Sequence, residues 1–408
     1  MRATRPQTNG YTERFKRIFA GRASPGDLAA FSSLRPHFAL CFPGGWFHGA
    51  EVYDALILGA GLSGLQAARD LQDAGWHLLV LDKAKGVGGR AATRRWDDAP
   101  VDHGAQFFTV RSPEFRAQTD HWLAREVCFH WTDGFHQWDA EHGLRAPDFS
   151  EPGSRHPRYA CRAGMSALCK DLAAPLRADP VRLETRVVRL HREQEAQGGS
   201  CWRVEMEDAS SVSPPILARR VISTLPTPQT LALLADSGLT DESFDAEAIA
   251  KLRAVRYAPT LAVLLRGSAP KTPWQGIQLK DDTLGWISAD TDKRPGGVPD
   301  AGGTQIFVLH GSAEFSAEWQ DRDLETAADR MIARAGEIVG DWITRLPERQ
   351  VHRWRFASVP EGVEGDACLR LSRDGDPPFY VAGDAFLGAK IEGAYRSGQE
   401  AARTILAE

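Results

Sequence analysis

Ala55-Leu56-Ile57-Leu58-Gly59-Ala60-Gly61-Leu62-Ser63-Gly64 is the stretch that decides the fold of this chain. An apolar run breaks into three glycines at GxGxxG spacing. The spacing predicts a helix over Leu65 to Ala74, and a second apolar run, Leu78-Leu79-Val80-Leu81, ends on Asp82. Strand, glycine turn, helix, strand and acid together are the dinucleotide-binding βαβ fingerprint. Gly59 lets the chain turn sharply off the strand, Gly61 lets a pyrophosphate approach bare backbone, and Gly64 lets the helix lie close to the strand. The helix N-terminus offers free N–H groups and about +0.5 of partial charge to phosphates. Asp82, 23 residues after Gly59, stands where a ribose hydroxyl pair needs an acceptor.

The residues that follow narrow the nucleotide. Lys83-Ala84-Lys85-Gly86-Val87-Gly88-Gly89-Arg90 adds a glycine pair and an arginine just past the acid, which an NAD dehydrogenase does not need. This resembles the second motif of the glutathione-reductase-like FAD enzymes of the amine-oxidase type. The resemblance implies that Gly88 and Gly89 bring backbone against the cofactor and that Arg90 meets its pyrophosphate.

Outside the motifs, composition sets limits. With 408 residues the chain exceeds one ordinary core, so two interleaved domains are expected. Hydrophobic residues at 42% and charged residues at 25% are those of a globular protein. A net charge of −5 gives no global basic field for nucleic acid. No apolar run approaches the roughly 20 residues a bilayer demands. Cys41, Cys128, Cys161, Cys169, Cys201 and Cys368 form no CxxC, and the twelve histidines form no HExxH. No metal is therefore expected, and a reducing, cytoplasmic setting is.

Residues 1–50 differ from the rest. Arg2, Arg5, Arg14, Lys16, Arg17, Arg22 and Arg35 face only Glu13 and Asp27, with no hydrophobic period and no secretory apolar core. A transit peptide, a disordered tail and a start assigned too far upstream are all consistent with this. A tail or a misassigned start is expected, and the segment is expected to be dispensable.

After Arg90 come Val101-Asp102-His103-Gly104-Ala105-Gln106-Phe107-Phe108-Thr109. With Lys85-Gly86-Val87-Gly88-Gly89-Arg90, this resembles the renalase-like branch of the flavin amine-oxidase superfamily, over about residues 52–406. Further along, Ser112-Pro113-Glu114 reads as a helix start, and Trp131 to Pro157 as strands. Leu261–Leu265 reads as a buried strand, and Asp323 to Val339 as an amphipathic helix. Phe379–Ala382 runs into Gly383-Asp384, and a helix follows from Ala394 to Leu406.

The resemblance implies an α/β fold: a glutathione-reductase-like (Rossmann) FAD-binding domain with an inserted α+β substrate domain on a mixed or antiparallel sheet. Its expected segments are 51–110, 160–229 and 356–408 for the FAD domain, and 111–159 and 230–355 for the substrate domain. It implies non-covalent FAD held by Gly59, Gly61, Ser63, Gly64, Asp82, Lys83, Gly88, Gly89, Arg90, Gly104, Ala105, Gln106, Phe107, Val187, Gly383, Asp384, Gly393 and Ala394. Asp384 would meet the ribityl chain, and the helix N-terminus at Gly393 and Ala394 the flavin's pyrimidine end. It places Trp286, His310, Trp354 and Arg355 at the substrate. The implied reaction is oxidation of 2- and 6-dihydro isomers of NAD(P), with O2 reduced to hydrogen peroxide. An amine oxidase, a carotenoid or porphyrin desaturase, and a binding protein that kept the fold without enzymatic activity are the other readings. The partners expected are a small molecule and O2, with no nucleic acid and no membrane.

Overall fold

In a computed structural model the described residues are 40–42, 45–47, 52–177, 180–195, 198–207, 215–297, 303–388 and 390–408. Residues 1–51 form one unit, of which only an antiparallel pair of strands, Leu40–Phe42 with Gly45–Phe47, is described. The expectation that this segment is dispensable lies largely outside the described residues.

From Val52 onward the chain is built on two large sheets. The first runs in the order Val181–Arg182, Leu78–Leu81, Ala55–Leu58, Val221–Ser223, Phe379–Val381, Leu369–Arg370, all parallel except the last. Its four inner strands carry no charged residue and are buried because both faces are covered. Alternate residues go to opposite sides. Ala55, Ile57, Leu78, Val80, Ile222 and Tyr380 enter a core with the helices Leu62–Asp73, Pro113–Ala124, Ser166–Ala173 and Ile391–Ala407. Leu56, Leu58, Leu79, Leu81, Val221, Phe379 and Val381 enter the opposite core, with the strands Val187–Gln194 and Ser200–Met206 and the helices Thr227–Asp236 and Ala246–Ala254. This is the doubly wound Rossmann arrangement read from the glycine motif.

Its first helix starts at Leu62, ahead of the expected Leu65. Gly64 does not delay it, because a Cβ there would stand 2.0 Å from the Gly59 carbonyl oxygen, and the bare backbone fills that contact. The last helix likewise begins at Ile391 rather than Ala394.

The second sheet is mixed and has seven strands: Gly143–Arg145, His136–Asp139, Gly276–Lys280, Leu284–Ala289, Thr304–Gly311, Arg256–Ser268 and Glu348–Glu361. Only His136–Asp139 with Gly276–Lys280 is parallel. Leu261, Val263, Leu265, Phe307 and Leu309 pack against the helices Ala313–Trp319 and Leu324–Val339. Ala262, Leu264, Ile306 and Val308 face the other way, onto Trp96 and Val101 of the hairpin that follows Arg90.

Two segments expected in the substrate domain pack elsewhere. Pro113–Ala124 buries Phe115 and Trp122 in the Rossmann core, and residues 230–254 bury Leu233, Leu234, Ile249 and Leu252 on that sheet's other face. Amphipathic helices go where an apolar face is open, and sequence order alone did not reveal that.

Candidate functional site

The two glycine motifs fold onto each other. The Gly88 N–H donates to the Ala60 carbonyl at 2.9 Å. A Cβ on Gly89 would meet nothing nearer than the Gly61 Cα at 3.5 Å, and one on Gly61 would meet nothing within 4 Å. Bare backbone therefore lines an open slot above the N-terminus of Leu62–Asp73. The Ser63 hydroxyl in that first turn is buried without a partner. Asp82 accepts from the Ala60 N–H at 2.7 Å and from the Ala84 N–H at 2.8 Å, one bond to each oxygen. That fixes its rotamer and leaves lone pairs for a ribose. Lys83 is exposed beside it, and Val187 is half-buried at the start of its strand.

Arg90 spans the slot. It pairs with Asp384 at 2.6 Å, donates to the Phe356 carbonyl at 3.4 Å and lies over the Tyr257 ring. Burial raises the Asp384 carboxyl above its usual range, and Arg90 opposes that rise. Gly383 needs its positive φ of 142°, and its N–H donates to Ser397 Oγ at 2.8 Å. A Cβ on Gly393 would stand 1.9 Å from the Gly388 carbonyl oxygen. Ala394 follows it inside the first turn of the last helix. An orphaned hydroxyl, an open glycine slot and a helix N-terminus fit a flavin adenine dinucleotide.

Gly104 and Ala105 continue the wall. The Ala105 N–H donates to the Arg90 carbonyl at 2.9 Å. A side chain on Gly104 would hit that carbonyl oxygen at 2.2 Å. Gln106 is buried, and its Oε1 accepts from Ser288 Oγ at 2.9 Å and Lys293 Nζ at 3.3 Å. Lys293 belongs to a charge quartet that the sequence did not reveal. Its Nζ meets Asp102 at 3.0 Å and Asp290 at 2.8 Å, while Arg294 meets the same two acids at 2.9 and 2.6 Å. All four residues are buried. Burial alone would raise the Asp102 carboxyl, but the Lys293 and Arg294 charges outweigh it and hold it down at about 2.

The second sheet supplies the opposite wall. Its register places Trp286 beside His310, His310 beside Ala262 and Ala262 beside His352. Trp354 follows two residues after His352 on the same face. Trp354 donates its Nε1 proton to the His103 carbonyl at 2.9 Å. The rings of His103, His352 and Trp354 touch one another, with centroids 4.6 to 5.1 Å apart. Trp286 joins Phe107 and Phe135 at 5.6 and 4.7 Å. His103 Nδ1, His310 Nε2 and Trp286 Nε1 are all buried without partners. Burial pulls His103 down to about 3, and pulls His310 and His352 down to about 4. These imidazoles are neutral at physiological pH.

The structure thus brings Trp286, His310 and Trp354 to one wall. Arg355 is elsewhere. Neighbours on a strand point to opposite faces, so Arg355 is exposed on the outer face and pairs with Asp321 at 2.8 Å. That alternation was legible in the sequence. His103 and His352 were missed, because only sheet register reveals that they meet.

A model of the flavin containing amine oxidoreductase family matches residues 119–406, and one of an NAD(P)-binding Rossmann-like domain matches residues 57–122. The (S)-6-hydroxynicotine oxidase of Paenarthrobacter nicotinovorans is 38% identical over 73 residues, 17% of each chain. Polyamine oxidase 2 of Arabidopsis thaliana is 36% identical over 69 residues, 17% of this chain and 14% of that one. These matches span about a sixth of the relatives' length. Among solved structures, a protein named as a protoporphyrinogen oxidase from Exiguobacterium sp. 255-15 superposes with TM-score 0.64 at 15% identity, covering 88% of this chain and 100% of the other. A putrescine oxidase bound to putrescine does so with TM-score 0.61 at 14% identity, covering 88% and 100%.

Proposed function

The chain belongs to the flavin containing amine oxidoreductase family, and on that premise we propose that it is an oxidase of dihydronicotinamide rings. Its substrates are the 2- and 6-dihydro isomers of NAD(P), and its products are NAD(P)+ and hydrogen peroxide. FAD is the cofactor. When bound, the flavin would supply a two-electron acceptor for a hydride from the substrate carbon, with O2, two electrons and two protons giving H2O2.

The protein's own part is position and electrostatics. Arg90 and the glycine slot hold the pyrophosphate, Asp82 the ribose and Asp384 the ribityl chain. We take the cofactor to be bound without a covalent link, since Gly383 to Gly393 contains neither cysteine nor histidine. Phe107, Trp286 and Trp354 provide flat apolar surface for a ring whose C–H must come within roughly 3–3.5 Å of its acceptor. Buried free thiols at Cys128, Cys161, Cys169 and Cys201 support a reducing, cytoplasmic setting.

The observation that carries this reading is the charge state of the wall. Its imidazoles are neutral, and the carboxylates of Asp102, Asp290 and Asp384 are each paired with lysine or arginine. Such a wall suits a neutral dihydropyridine. A second reading, oxidation of an amine, is favoured by the named relatives. Anaerobic mixing with 2- and 6-dihydro-NAD, ordinary NADH and a panel of mono- and catecholamines separates the two. Fast flavin bleaching by the isomers is expected. Fast bleaching by an amine, with no response to the isomers, would overturn the proposal.

A further inference from the structure

Beside the ring wall stand two arginines that no role assigned above uses. Arg158 lies on the Phe135 ring, 5.3 Å from guanidinium carbon to centroid. Phe135 is in turn 4.7 Å from Phe107 and from Trp286. Arg162 lies on the Phe129 ring at 4.3 Å, and Phe129 packs on the same aromatic cluster. The Arg158 guanidinium therefore sits one ring away from the wall that receives the substrate, and Arg162 lies at the edge of the same aromatic cluster.

Neither is neutralised. Arg158 donates to backbone carbonyls only, Asp133 at 2.8 Å and His156, and its Nε is buried without a partner. Burial pushes this guanidinium below the usual arginine range. Arg162 is exposed and has no hydrogen-bond or ion-pair partner among the described residues. The acids on this side are occupied. Asp133 accepts from His130 at 2.8 Å and Arg155 at 3.0 Å, and Asp292 accepts from Trp131 Nε1 at 2.8 Å. Arg162, stacked on its ring, keeps its in-plane N–H edge free, the geometry that grips a phosphate, while Arg158 has committed its Nη1 to backbone and keeps Nη2.

We propose that Arg158 and Arg162 receive the phosphate tail of a substrate whose ring lies against Phe107 and Trp286. The ligand class is a nicotinamide-type ring carrying a phosphate ester, and the assignment rests on the dihydronicotinamide reading above. A simple amine carries nothing for these two arginines to hold.

The test is equilibrium binding to the oxidised holoenzyme, with NAD+, nicotinamide mononucleotide and nicotinamide riboside as probes, followed through the visible flavin spectrum. The phosphorylated probes should bind about 10-fold or more tighter than the riboside, the scale of one charge-assisted hydrogen bond, and added salt should narrow the gap. Arg162→Gln removes an exposed, unpaired side chain, so it should leave the thermal midpoint and riboside binding unchanged while closing most of the gap. Arg158→Gln, read beside its midpoint, should narrow it further. Equal affinity for mononucleotide and riboside, no measurable binding of either, or a gap that survives both substitutions overturns the proposal. Isomer oxidation is read by bleaching, so its failure is distinguishable from loss of this phosphate preference.

Discussion

At the scale of single residues, the neutral histidines carry a consequence for pH. His103, His310 and His352 are pulled to about 3, 4 and 4 in the fold, while an unfolded histidine titrates near 6.5. Between these values the unfolded chain binds more protons, so stability is intact above about pH 6.5 and drains away as pH falls. Each such histidine contributes a slope of about 1.4 kcal/mol per pH unit in that window. Carboxylates held low, such as Asp102 at about 2, act only at lower pH. Urea midpoints from pH 6.5 to 4.5 should fall steeply, and less steeply in His310→Gln. Equal slopes in the two proteins would contradict the buried-neutral assignment. Asp82→Ala should weaken FAD binding roughly 10- to 150-fold, through loss of a bond to a charged group. It should also lower the midpoint, because the Ala60 and Ala84 N–H groups lose their acceptor. Unchanged FAD affinity by flavin titration would remove the ribose role.

At the scale of elements, the first and last helices of the Rossmann core approach each other closely. A Cβ on Gly398 would stand 2.1 Å from the Ser63 carbonyl oxygen. Backbone cannot yield that space cheaply, so Gly398→Ala should cost on the order of 1–3 kcal/mol and loosen flavin binding at the helix N-terminus. A denaturation midpoint within error of the parent would show that the helices slide apart freely. This contact joins residues 335 positions apart, which no local pattern reveals. The elements themselves were far more legible. The 55–82 unit follows from apolar runs, glycine spacing and a terminal acid. Ser112 accepts from the Phe115 N–H and Asp323 from the Thr326 N–H, as capping chemistry foretells. Which sheet each helix would cover was not legible, since Phe115 and Trp122 mark an apolar face without naming its partner. Arg355 was placed at the substrate from resemblance alone, although its neighbour Trp354 already occupied the inward face.

At the scale of the whole molecule, the joint between the two sheets is the Asp102, Lys293, Asp290, Arg294 quartet. Lys293-Arg294 precedes Pro295-Gly296-Gly297 and looks in sequence like a solvated turn. Its burial depends on an acid 191 residues away that no periodicity points to. Lys293→Met leaves two acids facing one arginine in a dry site, so it should cost about 3–5 kcal/mol. A loss below about 1 kcal/mol by urea denaturation would mean that water reaches the quartet. The central claim is that a neutral dihydropyridine gives up hydride against a wall of indoles and neutral imidazoles. It is tested most directly by the pH profile of anaerobic flavin reduction with 6-dihydro-NAD. His103, His310 and His352 stay neutral between about pH 6 and 9, and the substrate has no proton to lose first, so the rate should be flat across that range. A rate that climbs about tenfold per pH unit, as an amine freed from its ammonium form requires, would contradict the account.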